Sequence, residues 1–489
     1  MKGRSDTLDM PPEDFRAAAH QIADWAADYL KEVEGHPVLA RTNPGEIRAG
    51  LPEAAPEQGE PFADLLKDVD ARILPGITHW NHPSFHGYFA VTGSGPGILA
   101  ETIAAALNVN AMVWRSSPAA TELEEHVLDW LRDAMGLPSG MTGVVNDTAS
   151  MSTLHALAAA REEGLPEARE DGLAAAPRGR IYASREAHSS VDKAAIALGL
   201  GRKGVVRVEA DADFRMDPVA LDQAIRADSD AGVRPLAIVA TVGTTSTSSV
   251  DPVAEVADVA QAHGLWLHVD AAYAGSAALV PEHRHHFKGW ERADSVVFNP
   301  HKWLFTPVDC SVLFTAGGER IRSAFQLVPE YLRTGEDDRV TNLMDHGVAL
   351  GRRFRALKLW FVLRYFGLEG IRGAIREHIR MAQDVAGWVD EDPHAVRVAP
   401  VPFSTVVFRF KPPVVPQQDG ESRTEALDRL NLQAMEAVNR SGTAFLSHTR
   451  LDGRVALRLS IGNLRTRPRH LEATWEALRT AVWEMAEAA

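Results

Sequence analysis

The chain has 489 residues, of which 45% are hydrophobic and 24% charged, so it can bury a sizeable core and has room for several domains. Its 51 basic residues against 66 acidic ones give a formal net charge of −15, which argues against binding to nucleic acid or to an anionic membrane surface. A single cysteine excludes an internal disulfide framework and fits a reducing cytoplasm.

The N-terminal region predicts a helical arm. Residues 1–6 (MKGRSD) lack the apolar stretch of a signal peptide, so we expect a cytoplasmic protein. Apolar residues recur at helical spacing over residues 10–35, and a short helix is expected over residues 62–73, after a loop rich in proline and glutamate at residues 51–61. This arm, residues 1–82, is too small to bury its own apolar face and must pack on another surface.

The most apolar stretch follows at residues 98–114. Glu101 and two asparagines interrupt it, which favours a buried core or interface helix over a membrane span. Because this stretch and the arm both need a surface to cover them, we predict a homodimer.

Residues 83–362 predict an α/β domain, because short β-branched runs alternate with helical stretches, as in a sheet covered on both faces. The predicted strands are residues 180–183, 205–208, 236–240, 265–269 and 295–298. In such sheets ligands bind beyond the carboxyl ends of the strands. His188, Thr245, Asp270 and Lys302 all follow or end a predicted strand, so we expect them at one sheet edge.

Residues 363–489 predict a small α+β domain. Helical stretches there surround two strand-like runs, residues 405–410 and 455–460, with a proline-rich loop at residues 411–417. No internal repeat is found in the sequence.

One pair of residues in the central region carries specific chemistry. Lys302 lies in residues 299–303 (NPHKW), and Asp270 lies upstream in residues 268–273 (HVDAAY). A lysine amine can form an imine with the aldehyde of pyridoxal 5'-phosphate (PLP), while a strand-end carboxylate can pair with the protonated pyridine nitrogen. Alone, the lysine is typical of a solvated surface and the aspartate of a helix cap. Together they predict a PLP site.

A small polar cluster, residues 147–150 (DTAS), opens a helical pattern over residues 151–161. A helix N-terminus offers N–H groups and a partial positive charge, which favour a phosphate dianion. We therefore expect the phosphate at Thr148, Ala149 and Ser150. The alternative is an ordinary N-cap.

These motifs resemble those of the group II PLP-dependent decarboxylases, the family of aromatic-L-amino-acid, histidine and glutamate decarboxylases, over nearly the whole chain. The blocks that carry the resemblance are residues 117–124 (SPAATELE), 187–191 (AHSSV), 241–245 (TVGTT), 298–303 (FNPHKW) and 350–355 (LGRRFR). They look most like the aromatic-amino-acid branch. The resemblance implies the PLP type I (aspartate aminotransferase-like) fold and a homodimer in which the arm lies over the partner subunit.

Further site residues are implied by the resemblance. His188 matches a residue that stacks on the pyridine ring and approaches the substrate carboxylate. Thr245 matches a residue near the phenolic oxygen of the cofactor, and Ala272 one under its ring. Asn299 and His301 complete the phosphate site. Judged without the resemblance, His188 is a structural or exposed histidine.

The resemblance also gives a proton donor. Tyr331 lies in a charged, glycine-containing loop at residues 328–340, in the position of the family tyrosine that protonates the α-carbon after CO2 leaves. The alternative is an exposed loop with an incidental tyrosine.

Six residues match the family's substrate pocket: Trp80, Tyr88, Phe89, Met112, His346 and Gly351. The aromatic members suit a flat apolar side chain. Met112 stands where a phenylalanine is usual and His346 where a tryptophan is usual, so a roomier or more polar pocket is expected. Gly351 leaves space that would admit an indole.

Three histidines, His283, His285 and His286, crowd near one another. Their spacing has no helical or hairpin partner and no nearby pair of carboxylates, so no metal site is predicted.

The predicted activity is PLP-dependent decarboxylation of an aromatic L-amino acid (Trp, Tyr, Phe or DOPA) to the amine and CO2. The alternatives are an aromatic acetaldehyde synthase, a decarboxylase of a non-aromatic amino acid on the same fold, and a scaffold without cofactor chemistry. The presence of Lys302, Asp270 and His188 together argues against the scaffold.

Overall fold

The structure, a computed structural model, describes residues 8–89, 91–327 and 339–487. These residues form two compact units. The first lies within Met1–Gly87, Pro412–Ser447 and Arg465–Ala489, and the second within Tyr88–Lys411 and His448–Leu464. The domain boundaries expected after residues 82 and 362 stay a prediction.

The helices and strands are numbered along the chain. The helices are α1 (Pro12–Glu32), α2 (Glu46–Gly50), α3 (Phe62–Asp68), α4 (Gly95–Leu107), α5 (Pro118–Met135), α6 (Ala149–Gly164), α7 (Ala168–Asp171), α8 (Ser190–Ala197), α9 (Pro218–Asp230), α10 (Val253–His263), α11 (Pro300–Trp303), α12 (Gly318–Phe325), α13 (Ala356–Glu391), α14 (Arg423–Ser441) and α15 (Pro468–Glu487). The strands are β1 (Met141–Asn146), β2 (Gly179–Ser184), β3 (Val205–Val208), β4 (Arg234–Thr241), β5 (Trp266–Asp270), β6 (Ser295–Phe298), β7 (Ser311–Ala316), β8 (Ala395–Arg397), β9 (Thr405–Phe410), β10 (Ser447–Leu451) and β11 (Arg454–Ser460).

The first unit joins the N-terminal arm to the two C-terminal helices. The predicted amphipathic helix is α1, which begins with proline at its first turn. Glu34 pairs with Arg469 at 2.8 Å, and the two C-terminal helices pack on each other. Within this unit α1 buries Ala18 but leaves Phe15 59% and Ile22 44% exposed. Part of its apolar face therefore stays uncovered in a single chain.

The second unit is built on a seven-stranded sheet in the order β1-β7-β6-β5-β4-β2-β3. The neighbours from β3 to β6 pair in parallel, while β7 runs antiparallel to both β6 and β1. The five predicted strands are confirmed as β2 to β6; the bounds of β3 and β6 are as predicted, and those of β2, β4 and β5 differ by one or two residues. The sequence analysis missed β1 and β7.

Six strands of this sheet share one direction, so their carboxyl ends meet at one edge. The N-terminus of α6 follows β1 there, and Asp270 is the last residue of β5. His188, Thr245 and Lys302 lie in the connections that follow β2, β4 and β6. The predicted gathering of site residues at one edge is confirmed.

A second sheet of four strands, in the order β10-β11-β9-β8, follows the long helix α13. The two strands predicted in this region are β9 and β11, which pair antiparallel from Thr405–Ser460 to Phe408–Leu457. Helix α13 changes direction at Gly367, where φ is +63°, a backbone conformation that glycine adopts without strain.

Helix α4 occupies the first part of the apolar stretch predicted at residues 98–114. One side of α4 packs on α13, while Leu99 is 61%, Ile103 42% and Leu107 57% exposed on the other. In the part of the chain that the structure describes, no helix is long and apolar enough to cross a membrane.

Glu124 joins β1 of the sheet to Arg352, which lies in the segment after residue 338. Glu124 is 1% exposed, and its Oε1 accepts hydrogen bonds from the Val145 N–H (2.8 Å) and from Arg352 Nη2 (2.7 Å). We expect Glu124→Ala to lower the free energy of unfolding by about 3 kcal/mol, because it leaves a buried guanidinium without its counter-charge. Urea titration measures this loss. The exposed Glu436, paired with Arg440 on α14, gives the matched control Glu436→Ala, and equal losses in the two variants would contradict the assignment.

Candidate active site

Lys302 lies in α11, a single turn that Pro300 begins directly after β6. Its Nζ lies 5.2 Å from the ring centroid of Phe89. Burial lowers the pKa of the Lys302 amine; the carboxylate of Asp270 opposes this shift, and the guanidinium of Arg458 adds to it. A lowered pKa leaves more of the amine neutral, which is the form that attacks a carbonyl carbon.

Asp270 and His188 belong to the same electrostatic environment. Asp270 is 5% exposed, and its Oδ1 accepts a hydrogen bond from the Ala272 N–H at 3.0 Å. His188 Nδ1 accepts from the Ser190 N–H at 3.1 Å, so the proton of the neutral ring lies on Nε2. Burial lowers the pKa of His188, with Asp270 opposing and Lys302 reinforcing the shift. The ring is therefore a neutral hydrogen-bond donor near pH 7.

The N-terminus of α6 lies at the same sheet edge. Thr148 is its N-cap residue, and its Oγ1 accepts a hydrogen bond from the Met151 N–H at 3.4 Å. Thr148 and Ser150 are exposed, so the first turn presents its N–H groups outward. The N-cap and the phosphate site are thus compatible with each other. The phosphate site at Thr148, Ala149 and Ser150 stays a prediction.

Asn299 and His301 supply buried polar groups next to Lys302. Asn299 is 2% exposed, and its Oδ1 has no hydrogen-bond partner among the described residues. His301 Nδ1 accepts from the Cys310 N–H at 2.9 Å, and burial lowers the pKa of His301 to about 4. A buried amide without a partner costs free energy unless a bound group satisfies it. Asn299 Oδ1 is an acceptor, so only a donor can satisfy it. The donors that suit an anionic cofactor are the amide nitrogen of Asn299 and Nε2 of His301.

Aromatic rings join the two turns that carry Asp270 and Lys302. Tyr273 lies three residues after Asp270, and Trp303 directly follows Lys302. Their rings stack with centroids 5.1 Å apart and an interplanar angle of 11°. Phe89 stacks on the other face of Tyr273 at 4.0 Å. The base of the site is therefore a continuous stack of rings.

The ends of this stack are held by hydrogen bonds. Tyr273 Oη lies 2.6 Å from the Ser404 hydroxyl, and Trp303 Nε1 donates to His378 Nδ1 at 3.0 Å. Because both polar ends are engaged, the rings cannot turn without breaking a buried hydrogen bond.

Arg458 is a site residue that the sequence analysis missed. It lies on β11, 4% exposed, and donates to the Ser246 carbonyl (2.9 Å) and to the Tyr88 carbonyl (3.2 Å). Its guanidinium carbon lies 5.1 Å from the ring centroid of Phe89, and burial lowers the pKa of Arg458 to about 10. A charged residue inside an apolar strand was the signal that could have found it.

Thr245, next to Ser246, is exposed.

The six predicted pocket residues fall into separate groups. Phe89 lies at Lys302, as described above, while Tyr88 is 53% exposed. Trp80 belongs to the first compact unit, where its ring stacks on Phe85 at 4.3 Å. These positions leave the predicted pocket roles of Trp80 and Tyr88 as predictions.

Met112, His346 and Gly351 lie on two segments that hydrogen bonds hold together. The Met112 carbonyl accepts from the Met344 N–H, and the Asn110 amide oxygen accepts from the Arg352 N–H, each at 2.9 Å. His346 and Gly351 also line a cavity of about 80 Å³, together with Asp147 and Met151 from the start of α6. The structure therefore brings these two predicted pocket residues to the predicted phosphate end. Tyr331 lies outside the described residues.

A family model described as the pyridoxal-dependent decarboxylase conserved domain matches residues 44–411. The chain belongs to the pyridoxal-dependent decarboxylase family. A tryptophan decarboxylase of Camptotheca acuminata is 40% identical over 96% of this decarboxylase and 95% of the relative. A phenylacetaldehyde synthase of a Rosa hybrid cultivar is 37% identical over 97% and 94% of the two chains.

Solved structures agree with this assignment. The crystal structure of Oryza sativa TDC with PLP and tryptamine is 37% identical, with a TM-score of 0.94 over 98% of this chain and all of that one. Catharanthus roseus tryptophan decarboxylase in complex with L-tryptophan gives a TM-score of 0.91 at 35% identity, over 98% and 100% of the two chains. The predicted family, the PLP type I fold, the PLP cofactor and the carboxy-lyase class are confirmed. The roles of individual site residues stay predictions.

Within the described residues, no group of three or more histidine, cysteine, aspartate and glutamate side chains could hold a metal ion. In the cluster His283, His285 and His286, the rings of the last two residues lie 3.9 Å apart.

Borohydride reduction tests Lys302 directly. Reduction of the PLP-loaded enzyme, followed by peptide mass analysis, should find the cofactor fixed on Lys302 and not on the exposed Lys193 nearby. Lys302→Ala should bind PLP without a covalent link and lose several orders of magnitude in turnover, while Lys193→Ala should keep both properties. Near-normal turnover in Lys302→Ala would show that the covalent site is elsewhere.

Proposed function

We propose that this decarboxylase converts an aromatic L-amino acid, with tryptophan preferred, to the corresponding amine and CO2. One observation carries the preference. Among the described residues, a Cβ added at the exposed Gly351 would meet a single atom within 4 Å, Asn110 Nδ2 at 3.9 Å, so no described side chain fills the space beside this backbone. Relatives named as tryptophan decarboxylases, at 40% and 39% identity, support the same substrate.

The side chains at the sheet edge divide the work. When bound, PLP supplies an electron sink for the electron pair left by the broken bond between the α-carbon and the carboxylate. Lys302 would hold the cofactor covalently through its amine, for which its lowered pKa suits it. The Asp270 carboxylate would pair with the protonated pyridine nitrogen. His188, neutral and carrying its proton on Nε2, donates to the substrate carboxylate.

Two features exclude water and hold this arrangement. The stack of Phe89, Tyr273 and Trp303 closes the base of the site with rings that are 8%, 3% and 1% exposed. In such a dry site each hydrogen bond and charge interaction is stronger than in water. Asn299 and His301 would hold the phosphate from the Lys302 side, and the first turn of α6 from the other.

The second candidate function is aldehyde formation, since a phenylacetaldehyde synthase is among the relatives. Tyr331 favours the amine, because its hydroxyl can protonate the α-carbon after CO2 leaves, whereas a residue without a hydroxyl cannot. This role rests on the family resemblance of residues 327–332 alone.

We also propose that the enzyme is a homodimer and works in the cytoplasm. The apolar side chains exposed on α4, and separately those exposed on α1, support the dimer, because exposed apolar side chains on a helix face suit a partner interface. The single cysteine, buried in the core, suits a reducing compartment.

A substrate panel tests the proposed activity. Release of CO2 from Trp, Tyr, Phe, DOPA, His and Glu should be fastest with tryptophan. Gly351→Ser should lower kcat/KM for tryptophan by about 10- to 100-fold while tyrosine loses less, since the added side chain fills the space next to Asn110. Gly373→Ser, at a helical glycine with open space around it, is the matched control. Fastest release from glutamate or histidine would refute the aromatic assignment.

Tyr331→Phe separates the two outcomes of the reaction. The unsubstituted enzyme should release mainly amine, and the variant should release aldehyde with consumption of oxygen, because slow protonation leaves time for oxidation. Amine, aldehyde and peroxide are measured for both proteins on the best substrate. An unchanged amine yield in the variant would remove Tyr331 from the mechanism.

Light scattering tests the dimer. The purified enzyme should have twice the 53.2 kDa mass of the chain. Placing charge on the exposed face of α4, with Leu99→Glu and Ile103→Glu together, should raise the fraction of monomer, while Val219→Glu, at a 65% exposed position on α9, should not. A fully active monomer would contradict the proposal.

A further inference from the structure

His155 is a buried histidine on the helix that begins at the predicted phosphate site. It lies in the second turn of α6 and is 3% exposed. Its Nε2 accepts a hydrogen bond from the Val348 N–H at 3.2 Å. Because Nε2 is an acceptor, the proton of the neutral ring lies on Nδ1. The histidine therefore joins α6 to a segment almost 200 positions later in the sequence by a bond to its backbone.

The contact between the ring and this segment is close. A Cβ added at Gly347 would lie 2.3 Å from His155 Cε1 and 2.9 Å from Nδ1, closer than atoms of real side chains approach. The φ angle of Gly347 is near 180°, which any residue adopts, so the ring of His155 is what excludes a side chain there. The edge of Phe325 packs on the same ring, with centroids 5.0 Å apart.

The charge state of His155 suits this structural bond. Burial lowers its pKa to about 4, with Asp147 opposing the shift and Arg352 adding to it. The ring is thus neutral near pH 7, and Nε2 remains an acceptor for the Val348 N–H.

The segment that His155 holds carries two predicted substrate-pocket residues. Val348 lies between His346 and Gly351, and all of residues 346, 347 and 351 line the cavity at the start of α6, as does His155 itself. The hydrogen bonds that join residues 110–112 to residues 344 and 352 tie the two flanks of the segment to another part of the second unit. His155 joins the middle of the segment, at Val348, to α6.

We propose that His155 is a positioning residue that fixes the His346–Gly351 wall of the substrate pocket on α6, so that the substrate ring and the cofactor phosphate keep one spacing. The reference to substrate rests on the proposed function. The contact between His155 and the segment does not.

The first test uses hydrogen exchange in the PLP-loaded enzyme. His155→Leu introduces an apolar side chain of similar bulk and removes the acceptor Nε2. His155→Gln, in contrast, can present an amide oxygen to the Val348 N–H. We expect the peptide containing Val348 to exchange about tenfold faster in His155→Leu and near the normal rate in His155→Gln. Equal exchange in His155→Leu and the unsubstituted enzyme would overturn the proposal.

The second test separates positioning from general loss of structure. His155→Leu should raise KM for tryptophan by about tenfold, which is the effect of losing one hydrogen bond of ordinary strength. The values of kcat and of PLP affinity should change by less than about threefold. His155→Gln should restore KM. If PLP affinity and kcat fall while KM rises in both variants, His155 has a structural role only and the proposal is wrong.

Gly347 gives an independent variant. Gly347→Ala should disturb KM as His155→Leu does, because the new methyl group displaces the ring. The same substitution in a His155→Ala background should add little, since the ring is absent and the methyl group has space. Additive effects in the double variant would contradict the proposed contact. Should the enzyme decarboxylate no aromatic amino acid, the proposed function fails, and the exchange experiment still decides the contact.

Discussion

The stacking of Tyr273 on Trp303 is the interaction on which the geometry of the site depends. Asp270 ends β5 and Lys302 follows β6, so the carboxylate and the amine lie in connections after neighbouring strands. Backbone pairing sets the spacing of those strands, but it does not set the path of the chain beyond them. The two rings lock these paths together, and aromatic pairs of this kind contribute about 0.5–1.5 kcal/mol beyond the burial of their area.

The site combines buried positive charge with a strongly acidic chain. Lys302 and Arg458 lie over the same ring, Phe89, at 5.2 and 5.1 Å from its centroid. The negative face of an aromatic ring attracts cations, which partly offsets the cost of removing them from water. A cofactor phosphate and a substrate carboxylate would bring negative charge into this environment, although the whole chain has a net charge of −15.

The sequence predicted what short-range patterns encode. Five strands were found from runs of β-branched residues, and α6 from its helical period and polar start. The antiparallel strand β7 was missed because an apolar run after the lysine motif does not reveal the direction of the chain. Strand β1 was missed because Thr142 and Gly143, within its first three residues, interrupt the apolar pattern. Arg458 and His155 were missed for another reason: their partners lie far away in the sequence, and without coordinates a single charged or polar residue in an apolar run has no visible partner.

The antiparallel strand β7 also bears on how the site is assembled. Phe298 of β6 pairs with Val312 of β7, so the connection that holds Lys302 is a short loop, residues 299–311. By contrast, Asn146 of β1 pairs with Ser311 of β7, and the chain between these two residues makes up more than half of the α/β region. Closing a short loop loses less chain entropy than closing a long one, and local pairings form earlier in folding. We therefore expect the lysine hairpin to form before the strand that leads into α6, which pulse-labelled hydrogen exchange would detect as earlier protection of β6 and β7. On this order of events Lys302, the predicted covalent anchor, is in place before β1 joins the sheet and leads into the helix predicted to receive the phosphate.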